Sequence, residues 1–123
     1  MTLKQMQKRA HDTAKAKGWW DGKRYDGTEP GNGAVNPELV DVPTSLCLIH
    51  SEVSEALESY RKGEPNLWFA ESGKPEGIAS EMADVIIRIG DLCGALDIDI
   101  ESAVLAKMAH NETRSHRHGG KKC

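Results

Sequence analysis

Two short acidic clusters carry the clearest chemical potential in this 123-residue chain. Glu52-x-x-Glu55 sits in SEVSEALESY and Glu81-x-x-Asp84 in SEMADVIIRIG. Each pair has i,i+3 spacing, which puts both carboxylates on one face of a helix. Two such pairs on neighbouring helices can offer four oxygens-only ligands to a hard cation, Mg²⁺ or Mn²⁺, of the kind that holds phosphate oxygens. The bland alternative is a solvated flank. Two features count against it. Glu52, Glu55 and Glu81 have no Lys or Arg at i+4, and Asp84 has only Arg88. Glu52, Glu55 and Glu58 also repeat like charges turn by turn, a mildly unfavourable pattern that a divalent cation would reverse.

These residues need helices to position them. Leu46, Ile49, Val53, Ala56, Leu57 and Tyr60 recur at helical spacing and predict a helix over 44–62, stopped by Gly63 and Pro65. Ile78, Met82, Val85, Ile86, Ile89, Leu92 and Cys93 predict another, with Pro75 at its first position and its end near Leu96. A weaker stripe, Leu3, Met6, Ala10 and Ala14, predicts a helix over 3–17 ended by Gly18. Asp99 can cap a last helix that fades near Arg114. Residues 18–43, rich in Gly, Pro, Asp and Asn, read as loop, residues 63–74 as a connector and 115–123 as a basic tail.

The expected fold is all-α, a single domain over 1–123 built as a bundle of about four helices. The two strong helices should pack antiparallel. The apolar arc of the second is wide for so small a protein, so part of it should pack against another subunit. At about 100° per residue, Glu52 and Glu81 both lie within roughly a quarter turn of the centre of their stripes, on matching sides. Phase permits convergence without requiring it. Gly90 and Gly94 allow a close backbone approach.

Composition narrows the classes. A net charge of -3 gives no basic field for nucleic acid. No apolar run is long enough for a membrane span and the first 18 residues lack the apolar stretch of a signal peptide, so a cytoplasmic location is the default expectation. Cys47, Cys93 and Cys123 lack metal-ligand spacing; the first two read as small core residues.

The ordered acidic pairs, followed by a third helix with Lys107, Asn111 and Arg114 at i, i+4 and i+7 in KMAHNETRSHRHGGKK, resemble the MazG-like branch of the all-α nucleoside triphosphate pyrophosphohydrolases. The resemblance spans about residues 44–122 and points to the small single-domain members. It implies that Glu52, Glu55, Glu81 and Asp84 ligate Mg²⁺, with Mn²⁺ as a substitute, and form the catalytic set. It also implies hydrolysis of (deoxy)nucleoside triphosphates to monophosphate and pyrophosphate in nucleotide-pool sanitation, by a homodimer or homotetramer with no nucleic acid or membrane partner.

Substrate contacts are expected from several residues. Lys107, Asn111 and Arg114 can hold phosphate or sugar, or form a solvated polar face. Arg88 can clamp phosphate, or only pair with Asp84 or Asp91. Trp19, Trp20 and Trp68 can stack on a base or seal a bundle end, and Lys121 in the tail can close over phosphates. His50, beside the motif, reads as structural. Glu52 or Glu55 is the candidate to orient the attacking water. Competing readings are a phosphohydrolase cleaving a different bond and a non-catalytic helical interaction or regulatory module. Paired Glu-x-x-His motifs of the di-iron bundles are missing.

Overall fold

Local signals in the sequence set the helix starts. The Thr2 hydroxyl accepts from Gln5 N while the Gln5 side chain accepts from Thr2 N, a reciprocal cap that begins α1 (Leu3–Ala16). Asp41 caps α2 (Val42–Arg61) by accepting from Thr44 N, and Asp99 caps α4 (Ile100–Glu112) by accepting from Ser102 N. Bonds to the Thr44 amide and to the Ser102 side chain and amide hold these two carboxyls below the usual range. The remaining helix is α3 (Ile78–Ala95). This computed structural model describes residues 1–25 and 33–114; the basic tail lies outside them. The architecture is an all-α bundle of four helices, and no described helix is long and apolar enough to cross a membrane.

The start of α3 departs from expectation. Pro75 does not open the helix. It belongs to β2 (Pro75–Glu76), which pairs antiparallel with β1 (Trp68–Phe69) in a short hairpin within the expected connector. α3 begins only after Gly77, at φ 97°. A Cβ there would stand 2.5 Å from Pro65 O and 2.6 Å from Asn66 O, so only glycine fits. α3 has no side-chain cap; the Asn66 carbonyl accepts from Ala79 N at 2.8 Å and meets one of the open donors of its first turn.

α3 is the centre of the bundle, packed by α2 on one side and by α1 on another. Gly90 and Gly94 admit α1: a Cβ on Gly94 would lie 2.6 Å from the His11 ring. α4 returns to α1, where Gln7 donates to Ile98 O at 2.7 Å and accepts from Ile100 N at 3.1 Å. A small core joins Trp20, Val35 and Ala95, with Ala14 and Val40 against them. It is closed by an antiparallel bridge between Arg24 and Val35 within the long connection, which also carries a 3-10 turn at Pro37–Leu39.

The face that α2 turns inward takes only part of the apolar stripe read from the sequence: Ile49 and Ala56 belong to it and the other members do not. Ala56 and Ser59 are buried, and Ser45, Ile49 and Glu52 are partly so, forming one seam at i, i+4, i+7, i+11 and i+14. Leu46, Val53 and Leu57 remain half exposed and Tyr60 is 70% exposed. These four form a stripe rotated about a quarter turn from the seam. Small residues let α2 approach α3, and the bulky ones are left outside. By helical phase in an antiparallel pair, exposed Met82 and Ile86 of α3 lie on the same side as this stripe. Cys47 is exposed rather than in the core, whereas Cys93 is buried as expected and burial pushes its thiol pKa up.

Candidate metal centre and groove

Because Glu52 lies in the α2 seam, its carboxylate is carried onto α3. There Glu81, in the first turn, and Asp84, one turn on, point toward it. One oxygen from each of Glu52, Glu81 and Asp84 lies within 4.8 Å of the others. The crowding shows in their protonation. Burial, then the contact with Glu52, then repulsion by Glu52, Asp84 and Glu55 push the Glu81 pKa up. Burial and the Glu52 charge push Asp84 up, against the pull of Arg88 and Lys74. Three carboxylates crowded side by side form a hard, all-oxygen donor set, the kind a divalent cation fits and neutralises.

Arg88 crosses between the helices: its Nε donates to Glu52 Oε1 at 2.8 Å, so its ion pair is with Glu52 and not with Asp84 or Asp91. Glu55 is exposed and outside the three-oxygen set, although its charge reaches Glu81. Lys74, on the hairpin turn, is a cation near Asp84 that helical spacing could not reveal, since the hairpin brings it there.

α1 and α2 both pack on α3. The space between them is a groove of about 720 Å³, floored by α3 and running past Glu52, Asp84 and Arg88. That volume falls within the range of small-molecule sites. The segment after α1 closes part of it with Trp19, which is 76% exposed, and Trp20, which is 8% exposed. The Trp20 indole N–H donates to Asp91 Oδ1 at 2.8 Å, and His11 Nδ1 lies 2.8 Å from the same oxygen. The His11 and Trp20 rings meet edge to face at 6.0 Å. His11 had no role assigned from the sequence and Asp91 only a pairing with Arg88. A signal was present: Asp84, Arg88 and Asp91 fall at i, i+4 and i+7, a polar seam on an otherwise apolar helix.

The other expected contacts are dispersed. Lys107, Asn111 and Arg114 are exposed on and just after α4, which packs on α1, and none of them lines the groove. Trp68 is half buried in the hairpin, its indole donating to Glu64 Oε2 at 3.5 Å, also away from the groove. His50 is exposed on α2. Lys121 lies outside the described residues. No family model, curated protein or solved structure matches this chain, so the site is read from its own geometry.

Proposed function

We propose that this protein hydrolyses (deoxy)nucleoside triphosphates to monophosphate and pyrophosphate with Mg²⁺ or Mn²⁺, the activity that its resemblance to the MazG-like enzymes implies. The observation that carries the reading is the clustering of Glu52, Glu81 and Asp84, two of which, Glu52 and Asp84, line a groove of ligand size. An acidic cluster in a helical bundle is consistent with metal-dependent hydrolysis in general; the choice of bond and substrate comes from the resemblance. When bound, the metal would supply Lewis acidity to phosphate oxygens and lower the pKa of a water. Glu52, Glu81 and Asp84 would hold it. Arg88 keeps Glu52 turned into the cluster by its 2.8 Å ion pair. Glu52 or Glu55, the latter exposed and outside the oxygen set, would orient the attacking water. The apolar floor around Ile87 and Leu92, with Trp19 at its edge, offers a surface for a base.

The test is a panel of canonical and modified triphosphates with Mg²⁺, scored for monophosphate and pyrophosphate, with Glu52→Gln, Glu81→Gln and Asp84→Asn alongside. Pyrophosphate release by the wild type and its loss in the variants supports the reading. Orthophosphate as the sole phosphate product, or activity persisting in all three variants, rejects it.

A specific observation also favours self-association. Leu46, Val53, Leu57 and Tyr60 with Met82 and Ile86 expose on the order of 500 Å² of apolar surface on one side of the α2–α3 pair, near the upper end for a monomer's largest patch. A two-fold pairing of that face would bury about 1,000 Å², the lower end of specific interfaces. The same patch is what a helical interaction module would present. That reading predicts no response to divalent metal.

A further inference from the structure

The groove is electrically two-sided. Its α2 and α3 walls carry Asp41, Glu52, Asp84 and Asp91, together with Arg88, whose charge is already paired with Glu52 at 2.8 Å. Its α1 wall carries Arg9 and Lys17, with Lys23 just beyond. On α1 and at its C-cap, Arg9, Thr13 and Lys17 succeed one another at i, i+4 and i+8, along one flank facing the groove. The neighbouring lysines of the helix are otherwise engaged: Lys8 pairs with Asp12 at 2.6 Å, and Lys15 stands 3.9 Å from the same carboxylate. Among the described residues neither Arg9 nor Lys17 has an ion-pair or hydrogen-bond partner for its side chain. Lys23 donates to Leu39 O at 3.0 Å, which holds it near the groove end beside Asp41. The chain as a whole is acidic, so this cationic wall is a local arrangement and not a consequence of net charge.

We propose that Arg9 and Lys17, with the Thr13 hydroxyl between them, form the anion-binding wall of the groove, and that the ligand they take is a polyphosphate. Chemistry selects this class. A ligand lying between a carboxylate wall and a guanidinium–ammonium wall must present cationic character to one and anionic character to the other. A metal-chelated polyphosphate does both: its cation faces the carboxylates, and its outer oxygens face the arginine and lysine. Arg9 can bind two oxygens with its planar fork, and Lys17 acts as a point charge. The cationic half of the site therefore comes from the first helix, two turns of α1 about 12 Å long. It does not come from Lys107, Asn111 and Arg114 on α4. The identity of the anion rests on the reading of the groove as a triphosphate site; the charge of the wall does not.

The experiment measures binding of inorganic tripolyphosphate with Mg²⁺, followed by calorimetry and by tryptophan emission, since Trp19 borders the groove. Triphosphate turnover is measured in parallel. Arg9→Ala and Lys17→Ala should each weaken tripolyphosphate about tenfold, the size of one charge-assisted contact. They should raise KM for any triphosphate turned over while kcat stays within twofold. Lys8→Ala, whose charge is spent on Asp12, should change neither. Arg9→Lys and Lys17→Arg should recover most of the affinity, which a mere packing role would not predict. Weakened tripolyphosphate binding in a protein that turns over no triphosphate would uphold the cationic wall and reject the proposed reaction. Turnover with unchanged KM and unchanged tripolyphosphate affinity in the Arg9→Ala, Lys17→Ala double variant would overturn the wall and leave the reaction standing. Failure of the wild type to bind tripolyphosphate at all would overturn it as well.

Discussion

Replacing Glu81 by Gln should stabilise the metal-free protein, although Glu81 is a proposed ligand. Its oxygen lies within 4.8 Å of those of Glu52 and Asp84. Two unit charges at that separation repel by about 3.5 kcal/mol at an effective dielectric of 20. Solvent screening, the Arg88 guanidinium on Glu52 and partial protonation reduce the relief available from removing one charge to about 1–2 kcal/mol. For a domain of this size that is about 4–8 °C in Tm. Gln preserves the shape, and its amide N–H can donate to the Glu52 carboxylate. The sign follows from protonation: Glu81 and Asp84 both have folded pKa values raised above the ordinary carboxylate range. Their favourable contribution is complete at pH below the unfolded values and is lost as pH rises through the folded ones. The advantage of Glu81→Gln should therefore be small near pH 4 and grow toward neutrality. Saturating Mg²⁺ should invert the order, because a cation at one hundred times its Kd adds about 2.7 kcal/mol to the wild type and less to the variant. Thermal melts in EDTA and in Mg²⁺ across pH 4–8 read all of this. A variant no more stable than wild type in EDTA at pH 7, with an equal response to Mg²⁺, would refute the reasoning.

Trp20→Phe keeps the ring but removes the donor to Asp91, and should cost about 1–2 kcal/mol in urea denaturation. Gly77→Ala forces a Cβ against the Pro65 and Asn66 carbonyls at a positive φ and should lower the denaturation midpoint by the equivalent of about 2 kcal/mol or more. Leu57→Lys together with Tyr60→Glu should yield a monomer by sedimentation velocity if α2's outer stripe is the self-association face, with the metal-free Tm of the monomer nearly unchanged because neither side chain is buried.

The starts of α1 and α4 were legible because they rest on local chemistry: Asp99 caps the Ser102 amide from three residues away; Gly90 and Gly94 are where α1 approaches closely. The acidic pairs were legible for the same reason, as spacing on single helices. What covers a face is not local. Of the stripe read as inward, α3 takes Ile49 and Ala56, with Ser59 beside them, and leaves Leu46, Val53, Leu57 and Tyr60 outside, since close approach of two helices favours small side chains. Pro75 suited a helix start by propensity, but the pairing of Trp68 with Glu76 claimed it for a hairpin. The groove walls were hidden because α1 and α2 meet only across α3, and Arg9 shares no sequence neighbourhood with Glu52.

One oxygen, Asp91 Oδ1, joins segments that are far apart in the chain. Its partners, Trp20 and His11, lie 71 and 80 residues away. α2, the hairpin and α3 are contiguous, whereas docking α1 requires closing a loop of that length, an entropic cost that only long-range contacts repay. The α2–α3 unit and the docked α1 are thus expected to be separate tiers of protection in native-state hydrogen exchange, with α1 opening first. The carboxylate cluster belongs to the α2–α3 tier and the groove needs both, so a partial opening would dissolve the groove while leaving the three carboxylates assembled.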